Sequence, residues 1–257
     1  MTSRSILVVA FAAVALCVAG VDAPAVADPW ANVAELTAPS PQDDAALGRS
    51  VALGGSVLVA GANGGEEHAG EAHVFHRDPS TGVWAHDQKL TNPETDWADL
   101  FGTAVAIDGD RIVIGDPSAD GHRGALYLFI RDPSTGGWEY SDKLTDPGGA
   151  EGDAIGTAVA TQDDVIVAAV HVFTRNSASG DWEYTQQLTD PNAADGDILG
   201  SSVSVDGERI VAGAPGDDGG SANEGAVHVF ARDSSTDDWV HEAELGASSP
   251  IVGGQFG

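Results

Sequence analysis

The chain has 257 residues, 42% of them hydrophobic and 6% aromatic, a globular composition that is neither disordered nor membrane-like. Its formal net charge is −29, its pI lies near 4.1, and lysine occurs only at Lys89 and Lys143. Such a surface repels phosphate backbones, which excludes nucleic acid as a partner, and it repels itself, so a compact fold needs screening by salt. The acidic residues are spread through every turn instead of gathered at ligand spacing. A protein kept hydrated in concentrated brine, as haloarchaeal proteins are, is therefore expected ahead of one with many bound divalent cations. Salt cations then serve as solvation.

Residues 1–27 read as a secretory signal peptide: Arg4, an apolar run over 6–21, then Ala25-Val26-Ala27 before Asp28. The run is too short and too rich in alanine for a membrane span. Leu16 stands where a lipoprotein site before Cys17 would carry a small residue. The mature chain from residue 28 then has no cysteine and no second apolar run, which predicts a secreted or cell-surface protein without disulfides or membrane insertion.

From residue 30 onward the chain repeats. A Trp is followed six residues later by Leu at Trp30/Leu36, Trp84/Leu90, Trp138/Leu144, Trp182/Leu188 and Trp239/Leu245. Eleven residues beyond each Leu comes an apolar-Gly pair: Leu47-Gly48, Phe101-Gly102, Ile155-Gly156, Leu199-Gly200 and Phe256-Gly257. Within a unit the elements read as short strands. After Phe101-Gly102 come two β-branched runs, 103–107 and 111–114, separated by Asp108-Gly109, a strong hairpin signal. A third strand ends Val-Phe or Leu-Phe at Phe75, Phe129, Phe173 and Phe230, and a polar turn feeds a fourth strand that starts at Trp84, Trp138, Trp182 or Trp239. Four short strands in roughly fifty residues are the arithmetic of a β-propeller blade. The expected fold is all-β: four-stranded antiparallel blades at about 47–90, 101–144, 155–188 and 199–245 within a propeller region 28–257. A solenoid would use shorter repeats, and a sandwich would not repeat its sequence.

The pairs Phe101-Gly102 and Phe256-Gly257, with Gly213-Ala214-Pro215 fourteen residues after Leu199, resemble the FG-GAP repeat that builds the propeller of integrin α-subunits and of many microbial secreted proteins. Gly61-Ala62-Asn63 and Gly115-Asp116-Pro117 are degenerate copies at the same distance. The integrin-like version carries a D-x-D-x-D-G calcium loop between its FG and GAP elements. Here only a tight turn occupies that interval, as in Asp108-Gly109-Asp110 or Asp206-Gly207-Glu208, so the chain resembles the subtype without a calcium loop. Unit three departs further. It runs 18 residues from Ile155 to Phe173 where units one and two take 28, and the equivalents of residues 115–124 are missing. One long strand, or a blade with one strand fewer, is expected there, with local weakness.

His73, His171 and His228 occupy one position in three units, with Tyr127 in the fourth. Neighbouring blades stand too far apart for these residues to share a metal, so packing between blades is the expected role. His68, His76, His86, His122 and His241 show no ligand-like pairing. Asp99, Asp153 and Asp197 each stand two residues before the apolar-Gly pair, which suggests an Asx-type turn that accepts backbone N–H groups. The acidic loop 216–225, with Asp217, Asp218 and Glu224 as weak candidates, has room for a cation, as does 63–71, yet neither has EF-type spacing and both read as turns. The repeated Trp side chains read as blade core.

No G-x-S-x-G elbow, H-E-x-x-H, phosphate loop or mature Cys nucleophile occurs, so neither a catalytic residue nor a cofactor is expected. The reading is a non-catalytic binding or adhesion scaffold that engages a protein or glycan through propeller loops. The alternatives are a carbohydrate-active propeller enzyme, which carboxylates converging near the axis would favour, and a purely structural surface component. The chain starts its mature part in a fourth-strand segment and stops at an FG pair, so an open arc or an imperfectly closed ring is expected.

Overall fold

The computed structural model describes residues 34–40, 45–64, 70–94, 100–217, 224–247 and 257. The expected signal peptide, Trp30, Asp99, Asp218 and Phe256 lie outside the described residues. Among the described residues stand four antiparallel sheets of four strands, each built from consecutive strands of the chain. Blade 1 comprises β1 (Ser50–Gly54), β2 (Val57–Ala62), β3 (Glu71–Arg77) and β4 (Trp84–Thr91). Blade 2 comprises β5 (Ala104–Asp108), β6 (Arg111–Asp116), β7 (Ala125–Arg131) and β8 (Trp138–Leu144), with one helical turn, α1 (Ala119–His122), between β6 and β7. Blade 3 comprises β9 (Val159–Gln162), β10 (Val165–Ala168), β11 (His171–Arg175) and β12 (Trp182–Gln187). Blade 4 comprises β13 (Val203–Asp206), β14 (Arg209–Ala214), β15 (Ala226–Arg232) and β16 (Trp239–Gly246). This is the architecture of β-propeller blades.

The blades stack in chain order, with the first strands β1, β5, β9 and β13 each against the next. A blade between two neighbours buries both of its faces, which is why β2 and β6 are buried at every position although a half-exposed strand would alternate. One core joins Val57, Val59, Val74 and Leu90 of blade 1 to Phe101, Ile112, Ile114 and Phe129 of blade 2. The next joins Val113, Leu126, Leu128 and Leu144 to Ile155, Ile166 and Phe173, and a third joins Val167, Val172 and Leu188 to Ile210, Phe230 and Trp239. Leu36 and Ala38 stand against blade 1 as Leu90 stands against blade 2. Trp138 and Trp239 are buried, whereas Trp84 and Trp182 are half-buried at the edge of these cores. Val51 and Leu53 of β1 are exposed.

The repeated glycines form the joint between blades. In the FG-type pair, the N–H of Arg49, Thr103, Thr157 or Ser201 bonds the carbonyl three residues back, closing a turn whose third residue is Gly48, Gly102, Gly156 or Gly200 at φ between 88° and 97°. Only glycine adopts that angle without strain. The same glycine lies on the GAP glycine of the preceding blade: a β-carbon on Gly61 would come within 2.0 Å of the Gly102 carbonyl oxygen, and one on Gly115 within 2.2 Å of that of Gly156. Gly257 occupies the corresponding place over Gly213.

Unit three corrects the expectation of a missing strand. It keeps all four strands, because Ala169 takes a left-handed φ of 50° and lets a two-residue turn, Ala169-Val170, close the β10–β11 hairpin with Ala168 opposite His171. Ala169 then stands where the other blades carry the GAP glycine, against Gly200 of blade 4. In every blade the ladder between the third and fourth strands slips by one residue, at Val74/Phe75, Leu128/Phe129, Val172/Phe173 and Val229/Phe230. The bulge turns the fourth strand and decides which of its side chains face which neighbour.

Candidate functional site

Antiparallel order places two kinds of connection at opposite ends of the sheets. One end carries the tight hairpins between first and second strands. The other carries the GAP loops and the links from each fourth strand to the next blade. At this second end the third-strand residue His73, Tyr127, His171 or His228 is buried, with exposure of 2% or less. The bulge brings the fourth-strand residue two after the Trp (His86, Tyr140, Tyr184 or His241) beside it on the same face. The pairing of His86 and His241 corrects the expectation that they stand alone.

In blade 1, His73 has both nitrogens engaged: Nδ1 lies 3.0 Å from His86 Nε2, and Nε2 donates to Glu71 Oε1 at 2.8 Å. Lys89, opposite His73 in the ladder, pairs with Glu71 at 3.1 Å. The His73 hydrogen bond, with Lys89, holds the Glu71 carboxyl below its ordinary range against the effect of burial. Burial and the neighbouring His73 keep His86 below the ordinary histidine value.

Blade 2 replaces both histidines by tyrosine, and burial pushes Tyr127 up to about 12. Lys143, opposite Tyr127, pairs with Glu94 and, at 3.0 Å, with Asp120. Burial opposes the Lys143 ammonium, but these two carboxylates outweigh it and raise its pKa. Asp116, wholly buried, accepts the Leu100 and Ser118 N–H groups.

Blades 3 and 4 lack the cross-strand lysine and gain acids beside the strand-three histidine. Two residues after the fourth-strand Leu stand Ala38, Asn92, Asp146 and Asp190 in turn. The cross-strand position of Lys89 and Lys143 becomes Gln187 and Glu244. In blade 4, His228 Nε2 donates to Asp217 Oδ2 at 3.1 Å, which leaves Nδ1 to accept from His241 Nε2–H at 3.1 Å. Asp190, Asp197 and Asp217 each offer an oxygen within 4.8 Å of the other two, and Asp190 is that close to the His228 and His241 nitrogens as well. In blade 3, Asp146, Asp153 and His171 form the corresponding group. The expected acceptance of backbone N–H groups holds where it is described, from three residues back and not in the Asx pattern: Asp153 Oδ2 accepts Ala150 N–H and Asp197 Oδ2 accepts Ala194 N–H, each at 2.6 Å. Glu224 joins no such group among the described residues. Asp146 also borders a cavity of about 220 Å³ lined by Asp120, Arg123, Thr145 and Ile155.

Asp146, Asp190 and the register partners of the strand-three residue went unnoticed in the sequence. The fixed distance from each Leu to Asp146 or Asp190 was the available signal. The carboxylates converge beside β11 and β15, the third strands, and not at the first strands that stack against one another.

A family profile described as the FG-GAP repeat matches residues 30–75, 84–129 and 182–230, more than half of the chain. No curated protein sequence matches. Among solved structures, a crystal structure of a protein from Lactobacillus plantarum is similar at 13% identity and a TM-score of 0.50, over 77% of this chain. The chain spans 55% of the length of that protein. No described helix is long and apolar enough to cross a membrane.

Proposed function

We propose that this chain, which belongs to the FG-GAP repeat family, is a non-catalytic binding scaffold that works outside the cell and engages a protein or glycan through the loops at the GAP end of its blades. Recurrence carries the reading. The same Trp, Leu and FG-type Gly positions return in four blades and the GAP loop in three of them, and their polar groups serve turns, blade joints and buried pairs. A reaction needs one distinct constellation, whereas a binding face gains from repetition. Residues 1–27 direct export, and the net charge of −29 suits a hypersaline exterior.

The exposed acids Glu151 and Asp195 hold the same place in successive interblade loops and supply part of the contact face. The test applies residues 28–257 at molar salt to a glycan array and to cell-surface proteins. Saturable binding to one class, weakened by Glu151→Gln together with Asp195→Asn, is expected. Release of shortened glycan products would replace the scaffold by a carbohydrate-active enzyme. That second reading draws on the convergence of Asp190, Asp197 and Asp217. Against it, Asp197 and Asp217 are committed to Ala194 N–H and His228.

A further inference from the structure

Compared across the blades, the strand-three histidine has two partners in blade 1 and two in blade 4. Blade 3 breaks the pattern. His171 is 1% exposed, and its Nδ1 makes no hydrogen bond among the described residues. The cause is visible in the chain. Tyr184 replaces the histidine that meets Nδ1 in blade 4, and the ten-residue gap in unit three removes the loop whose carboxylate meets Nε2 there. A buried nitrogen left without a partner is rare and destabilising.

What faces His171 Nδ1 is a pair of carboxylates. Asp146 Oδ2 lies 3.4 Å away, outside hydrogen-bond geometry, and Asp146, Asp153 and His171 each offer a ligand atom within 4.8 Å of the other two. Two donors that share a tetrahedral ion at bonds of about 2.0–2.1 Å stand roughly 3.3–3.4 Å apart. The separation of 3.4 Å matches a bridge through an ion better than a direct bond. The local charge is also unbalanced, because Gln187 stands where Lys89 and Lys143 supply a cation in blades 1 and 2. Asp153 remains oriented by Ala150 N–H and Asp146 by Gly148 N–H, so both carboxylates are held in place by their own loop.

We propose that blade 3 holds a divalent cation of the zinc type, bound by His171 Nδ1 and one oxygen each of Asp146 and Asp153, where the GAP loop is missing. The imidazole donor favours such an ion over calcium, which takes oxygen ligands. Asp146 borders the adjoining cavity, which gives the ion a way in and leaves room for water to complete its coordination.

The test titrates residues 28–257 with Zn²⁺ alone by calorimetry, in molar sodium nitrate so that chloride does not compete. One strong site per chain is expected, with the ring nitrogens of one histidine shifting in ¹⁵N spectra. Asp146→Asn reproduces the residue that blade 2 carries at Asn92, so the fold tolerates it, and it weakens binding by about tenfold or more. His171→Tyr reproduces Tyr127 and removes both the binding and the spectral shift. Asp190→Asn in blade 4 leaves the affinity unchanged. Failure to saturate at millimolar Zn²⁺, loss of binding with Asp190→Asn in place of Asp146→Asn, or equal competition by Ca²⁺ overturns the site. The readout involves no partner, so it stands or falls apart from the scaffold reading.

Discussion

A β-carbon on Gly61 would meet the backbone oxygen of Gly102 at 2.0 Å, and backbone cannot swing aside as a side chain can. Gly109 differs: its φ of 56° disfavours a side chain, but nothing lies within 4 Å of the added carbon. The two glycines therefore answer to different physics, close approach at one and torsion at the other. Gly61→Ala is expected to cost about 3 kcal/mol or more by forcing blades 1 and 2 apart, against about 1 kcal/mol for Gly109→Ala. Urea unfolding of the two variants checks the order. Equal losses would remove the glycine joint as a determinant of blade spacing. Arg111 shows the complementary case of a side chain that binds blades together. Its guanidinium lies over the Trp182 ring at 4.7 Å and donates to Thr161 and to the Asp163 carbonyl, all in blade 3 or its hairpin turn.

The turns between third and fourth strands share one device. Asp78, Asp132 and Asp233 each accept the hydroxyl and the N–H of the Ser two residues on. These bonds, the hydroxyl first, hold all three carboxyls below the ordinary value, Asp78 at about 2. A depressed folded pKa contributes stability above the unfolded value and loses it as pH falls through the folded one. Asn176 does the same work in blade 3 without a titrating group. The triple variant Asp78→Asn, Asp132→Asn, Asp233→Asn should thus show a flatter loss of stability between about pH 4 and pH 2 than the parent chain, read as urea midpoints. An unchanged slope would deny these turns a part in acid unfolding. The strands themselves were legible, because β-branched runs and Asp-Gly pairs act locally. The β10–β11 hairpin was not, since alanine gives no sign that it will take a left-handed φ at Ala169. The histidine pairs were hidden by the bulge. A strict alternation puts His86 and Gln88 on one face, yet the slip at Val74/Phe75 sets His86 beside His73 and sends Gln88 to the Trp138 backbone of the next blade.

Across the whole molecule, a net charge of −29 acts on every blade at once. At 0.1 M salt the screening length is about 10 Å, comparable to the distance between packed sheets, and at 1 M it falls to about 3 Å. The thermal midpoint is therefore expected to rise steeply from 0.1 M to molar potassium chloride, followed by circular dichroism. A midpoint indifferent to salt would count against the brine setting. Because each core joins only neighbours, stability accumulates interface by interface. The joint made by the FG and GAP glycines is main chain on both sides, so it is blind to which unit it couples. Units can then be duplicated, lost or trimmed without rewriting the partner across the joint. Unit three, with Ala169 seated against Gly200 in place of a whole loop, is such an edit preserved in the chain.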